Sequence, residues 1–355
     1  MGGGIRTRMG DGERIELGVD ELRQELRDGT RDAAEKGKVP ELAGSELDRL
    51  FEIFAEPGRI VGVPTGAELI VTDDGVAENL HGSEADGGGG IPMDRLACLL
   101  TYERGLAADT GCTGNEDFSF KPVKAIIDNE MQCYHTASLS TTAPLFYGAQ
   151  PNLGLYYQPD GPYPNFAELM PLGKIDEARK AQEEAAEALK EDMIFVGKQL
   201  NEMGCEGLNF DTAGSSGDAD FYATLEAVRE LKKACPNMSL IVGMSSEFVL
   251  GMHGKMSFDG KQLAGMFPHE QVKIVEAAGA DIFGPAVNVN TSKTAPWNLS
   301  KATTFVKHTV EHAKIPVHPN VGMGVCGVPM TVETPIDCVT RTAKALAMIG
   351  MADGL

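Results

Sequence analysis

The chain has 355 residues, of which 42% are hydrophobic and 23% are charged, a composition that is typical of globular proteins and excludes fibrous and wholly disordered classes. Its formal net charge is −21, because 52 acidic residues outnumber 31 basic ones, and no local basic patch is evident along the sequence. A surface of this charge repels phosphate backbones and anionic lipids, so we expect neither nucleic acid nor membrane partners, whereas cationic small molecules would be attracted.

The first residues of the chain lack the apolar run of a signal peptide, and no stretch reaches the roughly 18 apolar residues of a transmembrane helix. We therefore expect a cytoplasmic protein. The seven cysteines include no C-x-x-C pair, so neither a disulfide scaffold nor a structural zinc site is expected.

Residues 1–118 predict an irregular α+β extension, which we interpret as a first domain that covers a separate core. Helices are expected over 21–36 and 46–54, with Asp20 and Ser45 as caps. Short strands over 59–63 and 68–72 predict a hairpin. A glycine-rich loop and a helix over 92–106 complete this region.

Residues 119–355 repeat a short β-type run, a polar loop and a helical stretch, which predicts a second domain with a parallel sheet. The expected strands are 123–127, 143–149, 207–211, 240–245, 281–287 and 315–321. The expected helices are 175–203, 218–234, 268–278, 298–313 and 335–350. Because no dinucleotide fingerprint follows the first strand, we favour a (βα)8 TIM-type barrel over an open doubly wound sheet.

The barrel is predicted to be incomplete at the C-terminus, because six βα units precede a seventh strand that has only begun over 351–355. The alternative is a miscount in which the last helix ends the fold. A truncated barrel would leave open strand edges and an uncovered apolar interior.

Two motifs are interpreted as structural. Residues 322–327 fit G-x-G-x-x-G, but the next helix begins near 335, so we interpret them as a βα loop. Residues 308–312 fit H-x-x-E-H, a zinc-protease pattern, but helical periodicity predicts that His308 and His312 share a solvated face with Lys301 and Lys307. No metal site is therefore expected.

Polar residues follow the predicted strands at the rim where barrels carry their active sites. Glu247 is the least suited of them to a turn, so we expect it to act as a general base, and Asp211 is expected to orient a partner or bind a cation. We expect the remaining rim residues to bind substrate; they are Gln150, Asn209, Asn288, Asn290, His318 and Asn320. Capping and turn preferences of Asn and Asp would alone explain about half of this set.

Several long segments closely resemble the dimethylamine:corrinoid methyltransferase family. They are LFYGAQPNLGLYY at 145–157, NFDT at 209–212, GDAD at 217–220, GMHG at 251–254, NVNTSKT at 288–294 and GMGV at 322–325. The resemblance extends from about Arg8 to the last residue. Cys326 stands where the family pattern leads us to expect glycine, which puts the local loop shape in doubt.

The resemblance implies methyl transfer from dimethylamine to the Co(I) corrinoid of a partner corrinoid protein, in methanogenesis from methylamines. It implies no cofactor bound directly to this chain, and a homo-oligomer is expected. The family carries pyrrolysine, encoded by an in-frame amber codon, whose imine carbon accepts the amine. The resemblance places that residue immediately after Leu355, so we expect this chain to be the inactive fragment that precedes it.

Two alternatives stay open. One is a pyrrolysine-free corrinoid-linked methyltransferase, in which a zinc-bound or hydrogen-bonded substrate replaces the imine chemistry and the chain is complete at Leu355. The other is a non-catalytic fragment that binds only the corrinoid protein.

Overall fold

The structure, a computed structural model, describes residues 4–67, 69–74, 108–116, 123–127, 153–205, 207–251, 255–322, 324–331 and 334–355. These ranges form a mixed α/β fold with eight α-helices. The helices are α1 (Val19–Gly37), α2 (Gly44–Ala55), α3 (Phe166–Leu169), α4 (Ile175–Glu202), α5 (Asp218–Ala234), α6 (Pro268–Ala278), α7 (Ala295–His312) and α8 (Ile336–Met348). The strands are β1 (Ile5–Arg8), β2 (Arg14–Leu17), β3 (Leu69–Asp74), β4 (Ala108–Glu116), β5 (Val123–Ile127), β6 (Gly207–Ala213), β7 (Ser239–Met244), β8 (Ser257–Phe258), β9 (Lys261–Gln262) and β10 (Ile282–Gly284).

All helices predicted within the described residues are confirmed, because amphipathic periodicity and capping fix a helix locally. The caps of the first two differ from the prediction. Each begins with the glutamate half of a capping box, in which the backbone N–H of Gly18 donates to Glu21 at 2.7 Å and that of Ala43 donates to Glu46 at 2.8 Å.

The larger sheet has six strands in the order β10-β7-β6-β5-β4-β3. The β6–β7 pair is parallel, as predicted, with Leu208 opposite Leu240. The prediction that β5 opens a parallel barrel is wrong, because β5 runs antiparallel to β6 and also to β4. Hydrophobic periodicity identifies a strand but does not encode its direction. The described residues show no closed barrel.

Other strand predictions differ from the structure. The hairpin over 59–63 and 68–72 does not form, since the first run contains no strand and β3 pairs elsewhere. The hairpin of β1 and β2 was not predicted, because arginines and glutamates interrupt its apolar pattern. Over 315–321 only Val317 makes a β-bridge. The predicted elements 143–149 and 92–106 lie outside the described residues.

The chain divides into two compact units, the first comprising residues up to 72 with 284–355, and the second mainly residues 113–283, with the boundary crossing β3 and β4. Helices α1, α2, α7 and α8 form one hydrophobic core in the first unit. Its fully buried members include Leu22, Leu50, Leu299 and Ala345. The N-terminal helices are therefore part of a core rather than a cover for another domain.

Helix α7 is buried around most of its circumference, so the prediction of a solvated face is wrong for His308 and Lys301 and holds for His312. His308 is only 5% exposed, and its two ring nitrogens lie 2.7 Å from a Glu311 carboxylate oxygen and 2.9 Å from the Pro40 carbonyl oxygen. Lys301 is also buried. His308 is therefore a buried residue that contacts Glu311 and Pro40, whereas His312, at the end of the helix, is exposed.

The second unit places α4, α5 and α6 with the parallel strands β6 and β7. Apolar side chains of α4 and α5 are buried, among them Leu189, Met193, Leu225 and Leu231. At Gly197 a side chain would overlap Leu231, so the glycine allows the two helices to approach closely. This packing fixes the ends of β6 and β7, where the predicted catalytic residues lie.

Candidate functional site

Three oxygen atoms converge on Gly243 in strand β7. A Cβ at this glycine would lie 3.6 Å from Asn209 Oδ1 and 3.9 Å from Asp211 Oδ1, with the Phe210 carbonyl oxygen at 3.8 Å. Asn209 Oδ1 is buried and accepts no hydrogen bond from any described residue. Glycine inside a strand is typical of a place where another group approaches the backbone closely. The arrangement is a small acceptor site suited to an N–H donor or a cation.

The backbone of β6 is strained directly after Asp211. Thr212 has a φ of 50°, a left-handed conformation that β-branched residues rarely adopt. The β6–β7 register also shifts between Phe210 and Ala213. Asp211 is 5% exposed and its carboxylate accepts a hydrogen bond from the Thr212 N–H at 2.6 Å. Strain and irregular pairing of this kind are frequent at functional sites, where they direct a side chain.

Glu247 lies in the loop that follows β7 and is only 5% exposed. The start of this loop is attached to the end of β6, because Ser245 donates to the Ala213 carbonyl oxygen through both its N–H and its hydroxyl, each at 3.1 Å. Two residues after Glu247, the Val249 N–H donates to the Met266 carbonyl oxygen at 3.2 Å. The structure thus brings the loop of Glu247 next to the strand end that carries Asp211.

A buried acidic cluster beside this strand end was not predicted from the sequence. Asp220, in the first turn of α5, accepts hydrogen bonds at 3.1 Å from the Ser215 hydroxyl and the Ser216 N–H. Burial raises the pKa of Asp220 to about 6, although these hydrogen bonds lower it. Burial and the charge of Asp220 also raise the pKa of Tyr157, whose buried hydroxyl has no partner among the described residues. The G-D-A-D segment, with two acids opening a helix, was the available signal.

The first unit holds a second group of predicted site residues. Asn288 is exposed and forms a β-bridge with Val325. Asn290 uses its side-chain oxygen within the loop, where it accepts from the Ser292 N–H at 3.0 Å and hydroxyl at 2.7 Å. This turn is the alternative role expected of many asparagines. Asn320 is exposed, and its N–H donates to the Pro285 carbonyl oxygen at 3.0 Å.

His318 packs directly on Gly354. A Cβ at Gly354 would overlap the imidazole ring, so only glycine accommodates the histidine in this position. Next to them, the Asp353 N–H donates to the Val317 carbonyl oxygen at 3.0 Å and its carboxylate accepts from the Val317 N–H at 2.8 Å. Burial lowers the pKa of His318, which is opposed by the charge of Asp353. Its Nδ1 is buried without a partner among the described residues.

The structure therefore groups Asn209, Asp211 and the Glu247 loop in the second unit, and His318 with Gly354 in the first. Gln150 lies outside the described residues. In the parts of the chain that the structure describes, no cluster of three or more His, Cys, Asp or Glu side chains is arranged to hold a metal ion. None of the described helices combines the length and apolar content required to cross a bilayer.

A known protein family matches almost the whole chain, over residues 3–355, and the class that it defines is methyltransferase enzymes. The family is dimethylamine methyltransferase (Dimeth_PyL), and the chain belongs to it. Its predicted membership is thus confirmed. No solved structure matches the chain.

Proposed function

We propose that this protein transfers a methyl group from dimethylamine to the Co(I) corrinoid of a partner corrinoid protein, in the formation of methane from methylamines. Family membership supports the substrate. The observation that carries the assignment to this site is the unpartnered Asn209 Oδ1 beside the Asp211 carboxylate above Gly243. An acceptor and a negative charge in this position complement a small protonated amine.

Binding of the amine uses charge and hydrogen bonding together. Protonated dimethylamine has one positive charge and two N–H groups. Burying an ammonium ion is unfavourable unless opposite charge and acceptors replace its water, and Asp211 and Asn209 supply these. The net charge of −21 adds a favourable long-range field.

Glu247 is the proposed general base. Protonated dimethylamine has no lone pair, so its proton must be removed before the nitrogen can act as a nucleophile. Glu247 is buried at the end of β7, and its loop is attached to the end of β6 that carries Asp211. The loop that carries the base is thus attached to the neighbouring strand at Ser245.

The proposal places pyrrolysine directly after Leu355, where it supplies an imine carbon that accepts the amine nitrogen. The neighbouring residues fit a polar ring, because His318 packs on Gly354 and has an unpartnered Nδ1. His318 and the exposed Asn320 would hold the ring by hydrogen bonds. Asn288 and Asn290 lie in the same unit and are proposed to take part in this binding. The corrinoid is carried by the partner, and no further cofactor is proposed.

We also propose that the fold is an incomplete TIM-type barrel, despite its antiparallel β5. Successive strand-like segments join their neighbours within each unit. In the second unit the Asp281 N–H donates to the Leu240 carbonyl oxygen at 2.8 Å. In the first unit the Asn320 N–H donates to the Pro285 carbonyl oxygen, and the Asp353 N–H donates to that of Val317. The segment that donates each of these hydrogen bonds comes after a helix in the chain. This alternation of strand and helix is the βα repeat of a barrel.

Replacing Glu247 with Gln tests the base. The change keeps the shape of the side chain but removes its basicity, so we expect the rate of methyl transfer in the full-length enzyme to fall at least about 100-fold. The measurement is methylation of the Co(I) corrinoid protein with dimethylamine as donor. The control is Glu230→Gln, an exposed carboxylate on α5 paired with Lys233. An unchanged rate in folded Glu247→Gln would remove Glu247 from the mechanism.

The two alternatives are separated by the codon that follows Leu355 and by the activity of the 355-residue product. We expect an amber codon followed by an open frame, and no demethylation by the product that ends at Leu355. Turnover by that product would favour the pyrrolysine-free enzyme. Tight binding of the corrinoid protein by the 355-residue product, together with an ochre or opal codon, would favour the non-catalytic fragment.

A further inference from the structure

A cavity of about 990 Å³ lies in the first unit, between the β1–β2 hairpin, the end of α2 and the start of α8. Five arginines contribute to its wall: Arg6, Arg8, Arg14, Arg59 and Arg341. The sequence expectation that the protein has no basic patch is wrong at this place. The arginines come from both ends of the chain, so only the fold brings them together. We call this feature the arginine cavity.

The carboxylates of the arginine cavity are already compensated. Three line its wall, and each is held by a basic side chain in the ion pairs Arg6–Glu16 at 3.1 Å, Arg8–Asp337 at 2.9 Å and Lys344–Glu56 at 3.2 Å. These pairs use two of the five arginines. The other three form no ion pair with the cavity's own acidic residues, and five arginines against three carboxylates leave an excess of positive charge in the wall.

The other three guanidinium groups have no carboxylate partner. Arg14 and Arg59 are exposed, and their guanidinium groups make no hydrogen bond or ion pair within the described residues. Arg341 is 7% exposed and donates only to backbone carbonyl oxygens, those of Asp337, Glu56 and Gly58. Burial lowers the pKa of the Arg341 guanidinium, and the charges of Asp337 and Glu56 partly oppose this shift.

The hairpin itself places like charges together. Arg8 and Arg14 are directly opposite in the antiparallel β1–β2 pair. Like charges in this arrangement destabilise a hairpin, and of these two arginines only Arg8 forms an ion pair with Asp337. An anion in the arginine cavity would remove this repulsion.

We propose that the arginine cavity binds a small molecule that carries two or three phosphate groups. The planar guanidinium donates two parallel hydrogen bonds to phosphate oxygens, and three uncompensated guanidiniums match the charge of a di- or triphosphate. The volume lies at the upper end of the range of about 300–1,000 Å³ that is typical of ligand sites, so a single phosphate ion would leave most of it unfilled.

Calorimetric titration of the full chain with inorganic tripolyphosphate at about 50 mM salt, where screening is modest, tests the proposal. We expect saturable binding, and at least about a 30-fold rise in Kd for the double variant Arg14→Gln/Arg59→Gln, because two charge-assisted contacts are lost. The matched control is Arg27→Gln/Arg31→Gln, which removes the same charge from exposed positions of α1 outside the cavity. We expect its Kd to change less than about 3-fold.

Two further measurements distinguish recognition of phosphate by guanidinium groups from a general attraction of anions. Citrate should bind at least about 10-fold more weakly than tripolyphosphate, since it lacks the phosphate chain. A second variant, Arg14→Lys/Arg59→Lys, keeps the charge but loses the guanidinium geometry and should raise Kd about 10-fold. No binding, equal effects of the cavity and control variants, or equal binding of citrate would overturn the proposal. Methyl transfer should be unchanged in the cavity variants, so this test is independent of the proposed function.

Discussion

Asp220 is an ionisable group whose burial affects stability across the mildly acidic range. Burial raises its pKa to about 6 in the folded protein, whereas an unfolded aspartate titrates near 3.9. Between about pH 4 and pH 6 the folded state therefore binds more protons at this site than the unfolded state. The contribution of Asp220 to the free energy of unfolding falls as pH rises through this window and is constant above it.

Asp220→Asn should remove this pH dependence. We expect the difference in unfolding free energy between wild type and variant to change by up to about 1.4 kcal/mol per pH unit between pH 4 and pH 6, with wild type losing stability relative to the variant as pH rises. Urea unfolding at several pH values measures it, and comparison with the variant cancels the titration of other groups. A difference that stays constant with pH would contradict the raised pKa.

Gly243 is the residue that leaves the acceptor site open. The contacts expected for a Cβ here, at 3.6–3.9 Å, are ordinary van der Waals distances, so Gly243→Ala should fold normally. Its methyl group would nevertheless occupy the space between Asn209 and Asp211. We expect KM for dimethylamine to rise at least about 10-fold, because the methyl group displaces the N–H donor. An unchanged KM would show that the amine binds elsewhere.

At the scale of elements, helices α1 and α7 pack against each other in the first unit through short contacts. The Ser300 hydroxyl donates to the Leu26 carbonyl oxygen at 2.6 Å, and the Thr304 hydroxyl donates to the Thr30 hydroxyl at 2.9 Å. Small residues permit this approach. A Cβ at Gly29 would overlap the Trp297 carbonyl oxygen and lie 3.0 Å from the Ser300 Cβ.

Gly29→Ala should therefore destabilise the protein, although alanine is the better helix former. We expect a loss of about 2–3 kcal/mol in unfolding free energy, because backbone atoms cannot yield to the added methyl group. The matched control is Gly44→Ala in the first turn of α2, where nothing lies within 4 Å of the new Cβ. That change should be neutral or stabilising by up to about 1 kcal/mol. Equal urea midpoints for the two variants would contradict the close packing.

The helices could be predicted from the sequence and several strands could not, for a physical reason that particular elements illustrate. The boundaries of α5 and α6 match the prediction because capping and periodicity act within one helix. The direction of β5 depends on its neighbour β6, more than 80 residues away. Likewise the segment around Val317 is held by a few hydrogen bonds to segments that are distant in sequence, which local sequence does not reveal.

At the scale of the whole molecule, individual candidate residues could be predicted from the sequence, but the distant residues that the fold brings together could not. Asp211 and Glu247 could be proposed because each lies at or just beyond the carboxyl end of a predicted strand, and the structure places both at adjoining strand ends of the second unit. Their roles stay predictions. Gly243 had a signal, a glycine within an apolar strand, whereas the arginine cavity had none, because Arg14, Arg59 and Arg341 are distant in sequence.

The first unit combines two segments that are far apart in the sequence, and this determines when its core can form during synthesis. Leu22, Leu26 and Leu50 leave the ribosome early, whereas Leu299 and Ala345, which belong to the same core, emerge only after the residues of the second unit. Throughout translation of the intervening residues these leucines lack the partners that α7 and α8 provide, a period of tens of seconds at typical elongation rates of about 5–20 residues per second. Nascent chains should consequently depend on chaperones that shield the N-terminal helices, and expression at reduced temperature should increase the yield of folded protein.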